Sequence, residues 1–253
     1  MRKMVFITGA TSGFGKATAK KFAANSYNLV ITGRRAERLQ QLQQELTGSY
    51  HVEVKALVFD VQDRQACFDA INSLPAEWKK PDILINNAGL AAGRDYFDDA
   101  SIDDWEIMID TNVKGLLYVT KALLPHMIEK GGGHIINLGS VAGKEVYEKG
   151  NVYCASKFAV DAISKSLRID LLRHKIKVTA IHPGAAETEF SLVRFKGDEA
   201  AADKMYEGYK PLRAEDVADV IYFTASVPAH VCINDLVLTC VAQANSFYLQ
   251  KDT

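Results

Sequence analysis

Residues 4–15 read MVFITGATSGFG, and this stretch decides the fold of the chain. Met4–Thr8 is a run of apolar and β-branched residues that predicts a buried strand. Glycines with the spacing GxxxGxG follow it and lead into a helical pattern over Gly13–Ala24. Glycine lets the backbone turn tightly and approach another group closely. A strand that passes through such a turn into a helix predicts the first unit of an α/β fold.

Strand and helix patterns alternate along the rest of the chain. The predicted strands are Met4–Thr8, Asn28–Thr32, Glu53–Phe59, Asp82–Asn86, His134–Leu138, Lys177–His182 and Asp235–Thr239. The predicted helices are Gly13–Ala24, Arg35–Leu46, Arg64–Leu74, Ile102–Glu129, Val152–His174 and Ala214–Ala225, with Asp63 and Ser101 as N-caps. We therefore expect one doubly wound, Rossmann-type α/β domain over residues 1–253, with a parallel sheet of about seven strands and helices on both faces.

The segment of residues 185–212 interrupts this alternation. It is polar, with scattered aromatic residues, and it lies between two predicted strands. Insertions of this length in a compact domain often cover a binding site. We expect residues 185–212 to form a substrate lid.

Charge balance and the cysteine pattern narrow the class of partner. The 30 basic and 31 acidic residues give a net charge of -1, which favours neither nucleic acid nor an anionic membrane. The 4 cysteines and 6 histidines show no disulfide or metal spacing. No apolar run approaches the roughly 20 residues of a membrane span. We expect a cytoplasmic protein that binds a small molecule and no metal.

The glycine turn and the end of the second strand indicate a dinucleotide. A helix N-terminus offers free N–H groups and a partial positive charge to a pyrophosphate. An NAD site usually places an acid at the end of the second strand, but this chain has Arg34 and Arg35 there. Because paired guanidinium groups suit a 2′-phosphate, the pattern favours NADP. The alternative is a solvated helix N-terminus.

Three polar residues in the second half of the chain form a candidate catalytic set. Tyr153 and Lys157 are four residues apart and therefore share one helical face. A nearby ammonium favours the phenolate, which makes a tyrosine usable as an acid and base. Ser140 follows the fifth predicted strand, and its hydroxyl can polarise a carbonyl oxygen. Taken singly, the tyrosine and lysine are most often a surface pair and the serine a helix cap.

In this combination the chain resembles the short-chain dehydrogenase/reductase family over essentially its whole length. The motifs that carry the resemblance are Thr8–Gly15, Asp60, Asn87-Ala88-Gly89, Asn112, Ser140, Tyr153, Lys157, and Pro183-Gly184 with Thr188. The family performs direct hydride transfer between a nicotinamide and a substrate carbon.

The resemblance implies a role at each matching position. Tyr153 transfers the proton, while Lys157 lowers the Tyr153 pKa and holds the nicotinamide ribose. Ser140 binds the substrate oxygen, and Asn112 supports a water-linked proton relay. Together with the two arginines, the expected NADP-binding residues are Gly9, Ala10, Thr11, Ser12, Gly13, Phe14, Gly15, Arg34, Arg35, Asp60, Val61, Asn87, Ala88, Gly89, Tyr153, Lys157, Pro183, Gly184 and Thr188.

Peripheral stretches are similar to one subgroup, the NADP-dependent 3-hydroxy acid dehydrogenases. They include Thr188–Ser191, its continuation through residues 193–198, and Pro228–Val231. The similarity implies oxidation of serine, allo-threonine or other 3-hydroxy acids, and a homotetramer. A broad-specificity carbonyl or 3-oxoacyl reductase is the alternative enzyme. An NADPH-sensing regulatory protein is a more distant alternative.

The carboxylate of a 3-hydroxy acid calls for a cation in the site. Arg194, in the expected lid, is our first hypothesis because a guanidinium pairs with a carboxylate through two parallel bonds. Lys149 is the second. The alternative for Arg194 is a solvated charge on the lid surface.

Overall fold

Seven parallel strands form one sheet in the computed structural model, which describes residues 2–252. The strands are β1 (Met4–Ile7), β2 (Asn28–Gly33), β3 (Val54–Val58), β4 (Ile83–Asn86), β5 (Gly133–Leu138), β6 (Ile176–Pro183) and β7 (Asp235–Leu238). Their order across the sheet is β3-β2-β1-β4-β5-β6-β7. The order in which successive strands are added to the sheet reverses between β1 and β4, which are parallel and paired through Val5 and Ile83. Ligands of open α/β sheets bind at this switch point, at the carboxyl ends of the strands.

Helices cover both faces of the sheet. They are α1 (Gly13–Ala24), α2 (Ala36–Tyr50), α3 (Arg64–Asn72), α4 (Ile102–Ile109), α5 (Leu116–Lys130), α6 (Asn151–Asp170), α7 (Glu189–Arg194), α8 (Glu199–Lys204) and α9 (Ala214–Ser226). Phe22 and Ile221 belong to the core under α1, α2 and α9, and Ile71 and Leu123 to the core on the other face. The predicted single-domain, doubly wound fold is confirmed. Among residues 2–252, none of the helices is long and apolar enough to cross a membrane.

The predicted helix Ile102–Glu129 is wrong as one continuous element. A π-helical segment, Asp110–Gly115, separates α4 from α5. The extra residue of a π turn changes which side chains face inward, and such turns often lie at functional sites. Here it places the buried Asn112 against the backbone that follows β4. The periodicity of apolar residues does not report this change of pitch.

The two predicted N-caps differ. The Asp63 carboxylate accepts a hydrogen bond from the Ala66 N–H at 3.0 Å, as a cap should. Ser101 occupies the N-cap position of α4, but its side chain makes no capping hydrogen bond.

Residues 185–212 are not free of regular structure, since they contain α7 and α8. The Tyr206 hydroxyl donates to the Ala186 carbonyl at 2.7 Å and is also hydrogen bonded to Ser191, so it ties the two helices to the end of β6. Leu212 then donates its N–H to the Ala185 carbonyl at 3.0 Å, which closes the base of the segment.

Candidate active site

Two adjoining cavities lie at the carboxyl ends of the strands, and Tyr153 lines both of them. The smaller, of about 280 Å³, runs from the glycine turn after β1 to Lys157, and we call it the cofactor cleft. The larger, of about 600 Å³, lies between Ser140 and residues 185–212, and we call it the substrate cavity. Both therefore open where doubly wound sheets bind ligands.

The glycine turn leaves no room for side chains. Gly9 has a φ of +66°, and a Cβ there would lie 2.9 Å from Ala88 Cα. A Cβ on Gly15 would overlap the Gly9 carbonyl oxygen. The Asn87 amide donates to the Thr8 and Gly9 carbonyls at 2.8 and 3.1 Å, and so fixes the turn. The resulting cradle at the start of α1 suits the close approach of a pyrophosphate.

Two arginines, Arg34 and Arg35, line the far end of the cofactor cleft, and a third, Arg38, lies beside it. Arg34 pairs with Asp60 at 3.3 Å, and Arg35 donates to the Ser12 hydroxyl at 2.7 Å. Arg35 and Arg38 also bind Glu189, the first residue of α7, at 2.8 and 2.7 Å. Partial burial opposes ionisation of Glu189, but the hydrogen bonds from both arginines outweigh it, and the pKa of Glu189 is lowered. The cleft thus has a cationic end that a 2′-phosphate fits.

Ser140, Tyr153 and Lys157 converge as the spacing predicted. The Ser140 hydroxyl lies next to the Tyr153 phenol in the substrate cavity and acts to lower the pKa of Tyr153. The Lys157 ammonium donates to the Leu138 carbonyl at 3.0 Å and lies 5.9 Å from the centroid of the Tyr153 ring. Tyr153 and Lys157 are both buried. The phenol therefore lies between the two cavities, with a hydroxyl on one side and an amine on the other.

The balance of influences on Tyr153 in this structure raises its pKa, and the lowering expected from Lys157 stays a prediction. Burial is the largest influence and raises the pKa of Tyr153, while the Ser140 hydroxyl and the Arg194 charge lower it in part. Burial also lowers the pKa of Lys157 to about 8. A low dielectric penalises the charged form of each group, so the phenol stays neutral and the amine loses its proton more easily.

Asn112 braces the turn after β4. Its side chain accepts from the Leu90 N–H at 2.8 Å and donates to the Leu90 carbonyl at 2.8 Å and to the Ser156 hydroxyl at 3.0 Å. A Cβ on Gly89 would lie 3.1 Å from the Asn112 side-chain oxygen and 3.4 Å from the Lys157 amine. The side chain is thus fully engaged with protein groups beside Lys157.

Arg194 is buried rather than solvated. Only 5% of the residue is exposed, and its guanidinium lies 5.6 Å from the Tyr147 ring centroid and 5.5 Å from that of Tyr153. Its Nε and Nη2 atoms have no hydrogen-bond partner among residues 2–252. Buried donors are normally satisfied, so an anion that enters the substrate cavity would complete this group.

Lys149, the second candidate cation, lies elsewhere. Its ammonium is 4.2 Å from the centroid of the Tyr96 ring, and Lys149 lines a separate small cleft with Asp104 and Trp105. Lys149 is not among the residues that line the substrate cavity with Ser140.

The structure brings most of the expected cofactor residues together. Those that line the cofactor cleft are Gly9, Thr11, Ser12, Gly13, Phe14, Arg34, Arg35, Asp60, Val61, Asn87, Ala88, Gly89, Tyr153, Lys157 and Thr188. Pro183 and Gly184 line the adjoining substrate cavity. Ala10 and Gly15 are buried beneath the turn, where the Ala10 N–H donates to the Thr32 carbonyl at 2.9 Å.

Several residues that line these cavities were not predicted as site residues. Tyr147 and Phe190 flank Tyr153, with the Phe190 ring centroid 5.7 Å from that of Tyr153. Gln243 accepts from the Ala185 N–H at 2.8 Å and closes the far wall. No local pattern marks these residues, since their neighbours in space are distant in the chain. No local pattern predicted the ion pairs of Glu189 with Arg35 and Arg38 either.

Comparisons with known proteins agree with this geometry. The family model described as short chain dehydrogenase matches residues 3–198. Sulfoacetaldehyde reductase 2 of Chromohalobacter salexigens is 48% identical, over 100% of both chains. The NADP-dependent 3-hydroxy acid dehydrogenase YdfG of Escherichia coli K12 is 47% identical, over 95% of this chain and 96% of its own. The closed form of serine dehydrogenase with NADP+ superposes with a TM-score of 0.91 at 45% identity, covering 99% of this chain and 100% of that one.

Proposed function

The chain belongs to the short-chain dehydrogenase family, and from this premise we propose an NADP(H)-dependent oxidoreductase that interconverts a hydroxyl and a carbonyl group. Its substrate is a small molecule with an anionic group near the reacting carbon, and 3-hydroxy acids such as serine are the first candidates. The observation that carries the substrate class is Arg194, whose buried Nε and Nη2 donors have no hydrogen-bond partner among residues 2–252.

The cofactor cleft fits NADP. Its glycine cradle would be filled by any Cβ, and its cationic end carries Arg34 and Arg35. We assign the dinucleotide to the fifteen predicted residues among those that line this cleft, with Pro183 and Gly184 at its junction with the substrate cavity. Bound there, NADP(H) supplies or accepts the hydride.

Tyr153 is the proton donor in the reductive direction. Because its pKa is raised, the phenol is protonated at neutral pH and can donate to a carbonyl oxygen held by the Ser140 hydroxyl. The Arg194 charge favours the phenolate that remains after this transfer. Oxidation needs the phenolate at the start, so we expect reduction to dominate at neutral pH and oxidation to rise with pH. Lys157 holds the nicotinamide ribose and Asn112 supports a water-linked proton relay, roles that rest on family resemblance.

Sulfonates form a second candidate substrate class. The identity to sulfoacetaldehyde reductase 2 equals that to the 3-hydroxy acid dehydrogenase within one percentage point. A guanidinium binds the oxygen atoms of a carboxylate or a sulfonate through the same charge-assisted hydrogen bonds. The sequence suggested a carboxylate as the partner of Arg194, but its guanidinium is equally suited to a sulfonate.

The remaining expectations complete this proposal. Residues 185–212 act as the lid, because they carry Arg194 and form one wall of the substrate cavity. The protein acts in the cytoplasm as a homotetramer, an expectation that rests on family resemblance.

A substrate panel tests the proposal. The oxidation of L-serine, D-serine, allo-threonine, 3-hydroxypropionate and isethionate by NADP+, and the reduction of the matching aldehydes and ketone and of a neutral diketone by NADPH, are followed at 340 nm. We expect turnover of at least one anionic substrate and little of the neutral one. Turnover of neutral substrates alone would favour the broad carbonyl or 3-oxoacyl reductase. Tight NADPH binding without any turnover would favour the regulatory alternative.

Arg194→Met is the companion variant, with Arg94→Met, at the exposed rim of the same cavity, as its matched control. Loss of a charged hydrogen-bond pair predicts a KM for the anionic substrate raised by roughly 10- to 100-fold. The KM for a neutral substrate should be unchanged. Equal effects on both substrates would refute the anion-binding role of Arg194.

A further inference from the structure

His182 is a fully buried titratable residue behind the proposed site, and the chemistry described above does not use it. It lies near the end of β6, next to Pro183. Its ring lies against Gly139, where a Cβ would overlap Nδ1. The residue after Gly139 is Ser140, so the imidazole touches the segment that carries the proposed substrate-binding hydroxyl.

The two ring nitrogens of His182 face different acceptors. Nδ1 lies 3.2 Å from the backbone carbonyl oxygen of Ser140. Nε2 lies 3.5 Å from an Asp235 oxygen and 3.7 Å from an Asp161 oxygen, and it has no hydrogen-bond partner among residues 2–252. Only the Nδ1 contact is within ordinary hydrogen-bond reach of a backbone acceptor.

The charged groups around Nε2 already satisfy one another. The Lys144 ammonium binds Asp161 at 2.9 Å and Asp235 at 2.7 Å, and Lys165 binds Asp161 at 2.7 Å. The Lys144 ammonium thus bridges the two carboxylates that, with His182, form a cluster of potential metal ligands. Because Lys144 neutralises the two carboxylates, they favour protonation of Nε2 only weakly.

This arrangement decides the tautomer of a neutral His182. A proton on Nε2 would face carboxylate oxygens at 3.5 and 3.7 Å that already accept from Lys144, and it would set the Nδ1 lone pair against the Ser140 carbonyl. A proton on Nδ1 makes the 3.2 Å hydrogen bond and leaves only an unpaired acceptor at Nε2. Buried unpaired N–H groups are rarer than under-satisfied acceptors. Burial, and then the Lys144 charge, lower the pKa of His182, which keeps the ring neutral near pH 7.

The Ser140 segment is held from several sides. Its carbonyl also accepts from the Gly143 N–H at 2.8 Å, and its hydroxyl accepts from the Ala142 N–H at 3.1 Å. We propose that His182 is a positioning residue whose Nδ1–H clamps the Ser140 carbonyl and thereby fixes the Ser140 hydroxyl toward the substrate oxygen. This inference rests on the proposed function of Ser140.

Two substitutions separate this role from simple packing. Asparagine places its amide nitrogen where Nδ1 lies, and glutamine places it where Nε2 lies. His182→Asn should therefore keep kcat within about twofold, whereas His182→Gln should lower kcat about tenfold, the rate equivalent of one hydrogen bond. The Kd for NADPH, measured by fluorescence, should be the same in both variants. Equal kcat values, or a more active glutamine variant, would overturn the proposal.

A Ser140→Ala background tests whether His182 acts through Ser140. There the two His182 variants should have equal residual kcat values, and a persisting tenfold difference would contradict the proposal. Nitrogen-15 NMR of the wild-type imidazole gives a readout that needs neither a variant nor turnover. We expect the proton on Nδ1 at neutral pH; a proton on Nε2 would overturn the tautomer and the clamp. Should wild type turn over no substrate, the proposed function fails, but the NMR result still decides the clamp.

Discussion

The charged groups at the two ends of the cofactor cleft behave in opposite ways. At the arginine end, Arg35, Arg38 and Glu189 are about half exposed, and each has a charged partner. At the tyrosine end, Tyr153 and Lys157 are buried and have no such pairing with each other. Exposed pairs are screened and contribute little individually, whereas buried groups shift their pKa values strongly. The arginine end is suited to recognition of the cofactor and the tyrosine end to proton transfer.

The largest effect should come from removing the buried phenol. Tyr153→Phe deletes the group that moves the proton while it keeps the ring, so we expect kcat to fall by about 10³-fold. The Kd for NADPH should stay within about twofold, because the phenol hydroxyl is not part of the cationic end. Stopped-flow or steady-state assays at 340 nm measure kcat, and fluorescence titration measures the Kd for NADPH. A kcat of Tyr153→Phe within tenfold of wild type would contradict the assignment of proton transfer to the tyrosine end.

Lys157 gives the next effect and a pH dependence. Its pKa is lowered to about 8, so the ammonium is present below that pH and is lost as pH rises through it. If the ammonium holds the nicotinamide ribose, NADPH affinity should fall above pH 8, and Lys157→Met should bind NADPH about tenfold more weakly at pH 7 with no such dependence. Fluorescence titrations from pH 6.5 to 9.5 test this.

Lys165, an exposed lysine on the same helix, supplies the matched control. Lys165→Met should leave the pH profile of NADPH binding unchanged. An alkaline loss of affinity that persists in Lys157→Met would show that another group titrates.

Arg35 tests the recognition end. Arg35→Ser removes a guanidinium that is within 3.1 Å of Thr11 and Ser12 in the cofactor cleft, and should lower the preference for NADP+ over NAD+ by about tenfold or somewhat more. The measured quantity is the ratio of kcat/KM for the two cofactors. Arg38→Ser, at a position that does not line the described cleft, should change this ratio less. A ratio unaffected by Arg35→Ser would remove the basis for NADP specificity at this end.

The smallest effect belongs to Glu189. Its carboxylate competes with a 2′-phosphate for Arg35 and Arg38, so Glu189→Gln should tighten NADPH binding by roughly two- to fivefold, the scale of an exposed ion pair. The gain should shrink in high salt because exposed charges are screened. Weaker binding in this variant would mean that Glu189 supports the arginines rather than competes for them.

Local patterns were enough to predict most of the fold. All seven strands lie within about two residues of the predicted positions, and α1 has the predicted bounds Gly13–Ala24. The π segment at Asp110–Gly115 was missed because it depends on a contact between Asn112 and Leu90. No pattern in residues 185–212 predicted α7 and α8 either.

The sequence by itself determined the glycine cradle, the paired arginines and the shared helical face of Tyr153 and Lys157, because each follows from neighbours a few residues apart. Only the tertiary structure decided which charges are buried. Arg194 is buried, and Arg35 forms an ion pair with Glu189, which is 154 positions away in the chain. Burial depends on distant segments that pack together, and burial sets the pKa values. The direction of the Tyr153 shift was therefore beyond the reach of spacing alone.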